Sequence, residues 1–220
     1  MQDFIIVTGI VIKQIPIGES DRRVTILTNS RGKISAFARG ARKPNSRFSA
    51  TTCPFCFGNF KLYEGRDAYN IAEAEIKNYF EEFRNDVDAS FHAAYFAEIA
   101  DYYCRENNDE REMMKLFYQS LRALCAPSLP NELVRSVYEI KSIAVNGEYP
   151  GAPPEMNLSG SAVYTLDFIA RSPIESLYSF KVTENVLEEL KSVSELYRKR
   201  YMDHYFKSLE ILEGISGKNT

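Results

Sequence analysis

The spacing of the apolar residues changes once along this chain, near Lys77. Before that point, short runs rich in β-branched and aromatic residues alternate with polar ones, which is typical of half-buried strands. After it, apolar residues recur three and four positions apart, which is typical of amphipathic helices. The change predicts an α+β protein, with an N-terminal β domain at residues 1–80 and an all-helical domain at residues 81–220.

Five strand-like segments lie in the first 80 residues, separated by turn signals. Gly9 divides the first apolar run, which predicts a long strand that bends there. Residues 15–21 are predicted to form a turn, and Gly32 takes the positive-φ position of a hairpin. Five short strands favour a small closed barrel, and the five-stranded OB fold is the natural candidate. The predicted strands are 4–7 with 10–12, 22–28, 33–39, 55–63 and 68–76.

Helical spacing after residue 80 predicts three long helices, a short one and one or two closing ones. Asp88 is predicted to cap the first of them, and Gly147 is predicted to end the third. Residues 172–175 form a capping box with proline at the first helical position. The last residues, 214–220, are predicted to fray.

A long basic window lies between Arg31 and Arg47, where six residues are Lys or Arg and none is acidic. Such a window is unusual because the whole chain has a net charge of -3. Residues 1–80 carry 12 Lys/Arg against 7 Asp/Glu, whereas residues 81–220 carry 15 against 23. Halves of opposite sign predict different partners, with the basic half meeting a polyanion.

Phe37 and Phe48 are interleaved with these charges. Cations bind phosphates and aromatic rings stack on bases, so the window is typical of a nucleic-acid surface with little sequence preference. Alternation along strand 33–39 places Lys33, Phe37 and Arg39 on one face. The alternative is a solvated loop that happens to be basic. The predicted nucleic-acid-binding residues are Lys13, Arg22, Arg23, Arg31, Lys33, Phe37, Arg39, Arg42, Lys43 and Arg47.

No pattern in the sequence argues for catalysis or for a cofactor. Phosphate-binding and dinucleotide-binding glycine motifs are absent, and the two histidines, His92 and His204, lack partners at triad or metal spacing. Cys53 and Cys56 form a lone CxxC pair, which is weak support for a metal site that needs four ligands. We therefore expect that the protein is not an enzyme and that it holds neither a metal nor a cofactor. No run is apolar enough to span a membrane, and a cytosolic location is expected.

The segment GIVIKQIPIGESDRRVTILTNSRGKISAFARGARKPNSR resembles the opening of the RecO family of bacterial recombination mediators, and RYMDHYFKSLEIL near the C-terminus also fits that family. The resemblance covers nearly the whole chain. It implies an OB fold, a helical C-terminal domain and a non-catalytic protein that binds single- and double-stranded DNA and anneals complementary strands. It also implies help in loading RecA onto strands coated with single-stranded-DNA-binding protein (SSB), with RecR as a partner, in the cytoplasm at the nucleoid.

The resemblance does not extend to the four-cysteine zinc site that many RecO proteins carry, because the connector at residues 146–160 contains no cysteine. It implies that the helical domain receives the acidic, apolar tail of SSB. Arg198, Lys199 and Arg200 would suit such a tail electrostatically. The other reading is an ordinary surface helix, since Tyr197 and Tyr201 follow the i, i+4 spacing of core residues.

Three other functions fit parts of the pattern. The first is an RNA-binding OB module. The second is a thiol enzyme that uses Cys53 and Cys56. The third is a structural adaptor whose basic patch docks on an acidic protein.

Overall fold

The computed structural model describes residues 4–216 and confirms the predicted fold class, a five-stranded barrel followed by helices. The strands close in the order β1-β2-β3-β5-β4, and all neighbours are antiparallel except β3 and β5, which are parallel. This is an OB-like arrangement. The strands are β1 (Phe4–Ile17), β2 (Asp21–Thr28), β3 (Gly32–Ala38), β4 (Phe57–Tyr63) and β5 (Tyr69–Asn78).

Strand β1 is long enough to pair with β4 through its first half and with β2 through its second half. Gly9 lies where the two pairings overlap, and a Cβ there would lie 2.7 Å from the Leu27 carbonyl oxygen. The register shift falls between Val11 and Lys13, beyond the predicted bend. The predicted turn at residues 15–21 is wrong for its first half, because β1 continues through Ile17 and only Gly18–Ser20 turn.

The stretch between β3 and β4 contains the short helix α1 (Phe48–Thr51). Phe48 is buried in the barrel core among the inward-facing residues of the strands. Phe48 holds this helix against a core that also contains Val11, Ile34 and Phe60.

The barrel unit also includes a later segment, so that residues 4–82 and Ala100–Met114 form one compact unit. Lys33 N–H donates to the Arg105 carbonyl oxygen, and Asn107 N–H donates to the Arg31 carbonyl oxygen, each over 3.0 Å. Gly32 sits between these bonds with φ of +62°, and a Cβ there would lie 2.1 Å from the Arg105 oxygen. Only glycine fits this close approach.

The second compact unit, Phe83–Ile99 with residues 115–216, is helical. Asp86, two residues before the predicted cap Asp88, accepts the Ala89 N–H at the start of α2. The capping box at residues 172–175 starts only a 3-10 helix, Ile174–Ser176. Helix α7 continues through Gly214, whereas residues 217–220 lie outside the described residues. The helices are α2 (Val87–Tyr103), α3 (Arg111–Leu124), α4 (Asn131–Val145), α5 (Gly160–Arg171), α6 (Glu184–Tyr201) and α7 (Lys207–Ser216).

None of the helices within residues 4–216 combines the length and the apolar character that a membrane crossing requires.

Candidate nucleic-acid interface

Strands β2 and β3 present alternate residues to the inside and the outside of the barrel. Ala36 and Ala38 are fully buried, so Phe37 between them points outward, and it pairs directly with Arg23 of β2. Phe37 lies between two guanidinium groups, at 5.0 Å from that of Arg39 and 5.9 Å from that of Arg23. We call these three residues the Arg23–Phe37–Arg39 cluster. It joins two exposed cations to a half-buried aromatic ring on one outer face.

Each arginine of the cluster is held by a polar partner. Arg23 Nε donates to the Ser35 hydroxyl over 2.6 Å. Arg39 Nη1 donates to the Asp21 carboxylate over 2.9 Å. Asp21 also accepts the Gly40 N–H over 2.8 Å. The Gly40 N–H and the Arg39 guanidinium hold the pKa of Asp21 below its ordinary value, so the carboxylate is charged at neutral pH.

Arg22 leaves β2 on the opposite side from Arg23. Its Nη1 donates to the Ser49 carbonyl oxygen over 2.7 Å and to the Thr52 hydroxyl over 3.3 Å, both at helix α1. Consecutive residues of a strand point to opposite faces, so at most one of these neighbours can join the basic patch directly. Arg23 lies on the outer face with the other cations of the patch, whereas Arg22 holds α1 against the barrel.

The turn after β3 carries the next cations. Arg42 is anchored twice, by its N–H to the Ser20 carbonyl oxygen and by Nη1 to the Gly18 carbonyl oxygen, over 2.8 and 2.9 Å. Lys43 is exposed, and within residues 4–216 its ammonium group has no hydrogen-bond or ion-pair partner. Arg42 and Lys43 follow Arg39 in one tight turn, so they add two cations beside the Arg23–Phe37–Arg39 cluster.

The remaining predicted cations are engaged within the barrel unit. Lys33 donates to the Asp101 carboxylate over 2.8 Å and to its carbonyl oxygen over 2.6 Å, and Lys13 lies 3.7 Å from the same carboxylate. Arg31 donates to the Tyr69 hydroxyl over 3.4 Å. Arg47 donates to the Ala72 carbonyl oxygen over 2.7 Å. Lys33 shares the β3 face with Phe37, but its two hydrogen bonds to Asp101 hold its side chain against the later segment. The Asp101 carboxylate also balances its charge.

The Arg198–Lys199–Arg200 island in helix α6 is largely neutralised. Lys199 donates to Glu195, and Arg200 donates to Glu155 over 2.7 Å. Arg198 lies 3.8 Å from the Glu213 carboxylate. Each of the three cations has an acidic partner, so a tail that binds here would have to compete with these carboxylates.

The connector between α4 and α5, residues 146–160, offers no set of zinc ligands. Residues 146–160 contain no cysteine, and residues 4–216 contain no group of three His, Cys, Asp or Glu side chains placed to hold a metal. Side-chain contacts fix the connector instead. Tyr197 donates a hydrogen bond to the Gly151 carbonyl oxygen, Tyr149 packs edge-on against Tyr197, and Arg200 bonds Glu155.

Two features of the interface were not found by sequence analysis. Asp21 fixes Arg39 from a position 18 residues earlier, which no local pattern reveals. Phe4, Tyr63 and Lys61 form an aromatic and cationic group on β1 and β4, in which Phe4 is exposed and the other two are half-buried. The exposed aromatic at Phe4 was read only as part of an apolar strand, because its face depends on barrel closure.

Comparison with known proteins places both parts of the chain in one family. Residues 1–80 match the family described as Recombination protein O N terminal, and residues 84–152 and 149–210 match Recombination protein O C terminal. A DNA repair protein RecO of Acetivibrio thermocellus is 30% identical, with 94% of this chain and 96% of that protein covered. A DNA repair protein RecO of Bacillus subtilis is 26% identical, with 93% and 92% covered. With an OB-like barrel, a helical unit and both matches in the same order, the chain belongs to the RecO family of DNA repair proteins.

Proposed function

We propose that the chain is a non-catalytic mediator of recombinational DNA repair that binds single- and double-stranded DNA and anneals complementary strands. The observation that carries the proposal is the Arg23–Phe37–Arg39 cluster on the outer β2–β3 face. In OB folds the face of strands 2 and 3 and the loops beside it are the usual surface for oligonucleotides. The Gly18–Ser20 turn, on which Arg42 is anchored, is the first of those loops.

The chemistry of the cluster suits backbone binding. Guanidinium groups bond phosphate oxygens in bidentate fashion, and a ring between them offers a stacking surface that accepts any base. Annealing follows because cations that bind two polyanions reduce their mutual repulsion and let bases search for register.

Partner proteins complete the proposal. In it the chain works with RecR to help load RecA onto SSB-coated strands, in the cytoplasm at the nucleoid. For the acidic, apolar tail of SSB, a groove of about 640 Å³ between α5 and α6 suits the ligand better than the Arg198–Lys199–Arg200 island. Phe168 and Phe180 give the groove apolar walls, while Lys181 and the first residues of both helices supply positive potential.

A fluorescence-anisotropy titration with labelled oligomers tests DNA binding. If about four phosphates are neutralised on a single strand, log K against log salt should have a slope near -3. The triple variant Arg23→Gln, Arg39→Gln, Lys43→Gln should lose most of the affinity and the annealing of SSB-coated oligomers. The matched control removes three exposed cations of the helical unit, Arg122→Gln, Arg171→Gln and Lys207→Gln.

Full binding and annealing by the triple variant would contradict the proposal. RNA oligomers of the same sequence provide the comparison with an RNA-binding module. A clear preference for RNA at equal salt would favour that alternative.

A further inference from the structure

One row of paired residues crosses the outside of the barrel at the end where the Arg23–Phe37–Arg39 cluster lies. Each residue of the row pairs directly with the next across neighbouring strands, so their side chains share one face. The neighbours of Phe37, Tyr63 and Asn70 in sequence, namely Ala36, Leu62 and Ile71, are buried in the core, so the row itself faces outward. In order around the barrel the row is Ile15, Arg23, Phe37, Asn70, Tyr63 and Phe4.

The far end of this row carries a second aromatic and cationic group. Phe4 is 50% exposed, and its ring meets that of Tyr63 edge-on with centroids 6.4 Å apart. The Lys61 ammonium lies 4.3 Å from the centre of the Phe4 ring. Phe4 stays half exposed even with Lys61 and Tyr63 against it, so the ring keeps open surface that a flat π system can cover.

We propose that single-stranded nucleic acid bound at the Arg23–Phe37–Arg39 cluster continues along this row, with a base stacked on Phe4. The inference rests on the proposed function and extends its site to strands β4 and β1. Phe37 and Phe4 are separated by three strand steps, about 14 Å at the usual spacing of about 4.8 Å, so one short strand segment can span both. The extension is continuous, since Asn70 and Tyr63 occupy the positions between them.

The two ends of the row differ in charge, so we expect them to bind different parts of the nucleic acid. Arg23 and Arg39 are exposed at one end, where phosphates are expected. At the other end Lys61 lies 3.4 Å from the Glu73 carboxylate, so much of its charge is balanced. The Phe4 end therefore contributes stacking rather than phosphate neutralisation. Arg66, exposed in the turn between β4 and β5, is the nearest cation in sequence to Tyr63 without an ion pair among residues 4–216.

A tryptophan reporter tests this inference directly, because the chain has no tryptophan of its own. In the full-length Phe4→Trp variant, oligo(dT) should quench the fluorescence, whereas an abasic oligomer with the same number of phosphates should leave it nearly unchanged. Tyr79→Trp is the matched control. Tyr79 is 38% exposed but follows the other end of β5, about 30 Å from Asn70 at about 3.3 Å per residue. Its fluorescence should not respond.

Affinity provides the second readout. Phe4→Ala should bind oligo(dT) about tenfold more weakly with the same salt slope, and Phe4→Tyr should restore the affinity, because stacking needs a ring and not a charge. Circular dichroism confirms that each variant is folded. If the Phe4→Trp variant is unquenched while anisotropy shows normal binding, or if the abasic oligomer quenches it equally, the inference is overturned and the proposed function stands. If no variant and no wild-type protein binds oligomers, both are contradicted.

Discussion

The Arg39 guanidinium bonds the Asp21 carboxylate over 2.9 Å while lying 5.0 Å from the centre of the Phe37 ring. An internal anion therefore occupies one edge of a cation that the proposed function assigns to phosphate. Asp21 both orients Arg39 and offsets its charge, because the same carboxylate is fixed by the Gly40 N–H.

Asp21→Asn should tighten binding of single-stranded DNA at low salt. The amide oxygen can still accept the Gly40 N–H, but the charge that competes with phosphate is gone. One further phosphate contact should steepen the slope of log K against log salt by about 0.7. Anisotropy titrations between low and moderate salt measure this change. An unchanged slope would mean that Arg39 does not reach phosphate.

Asp21 should also shape the acid stability of the barrel. Its pKa is lowered by the Gly40 N–H and the Arg39 guanidinium, so the folded state holds the proton less tightly than the unfolded state. A depressed carboxylate stabilises the fold above its unfolded pKa, near 3.8, and this contribution is lost as the pH falls through the folded value. Chemical unfolding from pH 6 down to pH 2 should show a smaller acid-induced loss in Asp21→Asn than in the wild type. Equal losses would contradict the assignment.

Arg22 and Arg23 should separate stability from binding. Arg22→Gln should lower the free energy of unfolding by about 1.5 kcal/mol, because its guanidinium bonds the Ser49 carbonyl oxygen, while DNA affinity in the folded protein changes little. Arg23→Gln should leave unfolding nearly unchanged and reduce the salt slope by about 0.7. Denaturant titrations and anisotropy on both variants check the pair. The opposite pattern would show that the two side chains had been assigned to the wrong faces.

Gly32→Ala should destabilise the barrel unit by about 3 kcal/mol or more. The new Cβ would lie 2.1 Å from the Arg105 carbonyl oxygen, and the residue would have to adopt a left-handed backbone, φ +62°. Gly18→Ala is the control, because Gly18 also has positive φ but a Cβ there meets nothing within 4 Å. It should cost only about 1 kcal/mol for the left-handed conformation. Similar losses for both variants in denaturant titrations would contradict the close approach.

Tyr197→Phe tests how the connector is held without zinc. The substitution leaves the Gly151 carbonyl oxygen without its donor and should lower the free energy of unfolding by about 1 kcal/mol. A chelator such as EDTA should leave the thermal midpoint of the wild-type protein unchanged, since side-chain contacts hold residues 146–160. A chelator-dependent midpoint would reveal a metal that these contacts do not account for.

Local patterns were sufficient to predict the strands, the long helices and the OB class. Period-2 alternation in β3 placed Phe37 on an outer face, and the structure agrees. Partners distant in sequence were not predictable, because they depend on closure of the barrel and on the docking of later segments. Lys33 bonds Asp101, which is 68 residues away, and Arg22 bonds Ser49 on the short helix α1. The count of charges therefore located the basic region. It could not separate cations that are open to solvent from cations that bond other parts of the protein.

The hydrogen bonds that join Arg31 and Lys33 to Asn107 and Arg105 set an order of events during synthesis. The β2–β3 hairpin emerges from the ribosome well before its partner segment. During that interval Gly32 lacks the backbone of Arg105 against it, and Lys33 lacks the Asp101 carboxylate that balances its charge. At about 5–20 residues per second, the interval of some 70 residues lasts several seconds. Until residue 114 has been made, the barrel unit is incomplete, and its β2–β3 side can reach its final form only after part of the helical sequence has been translated.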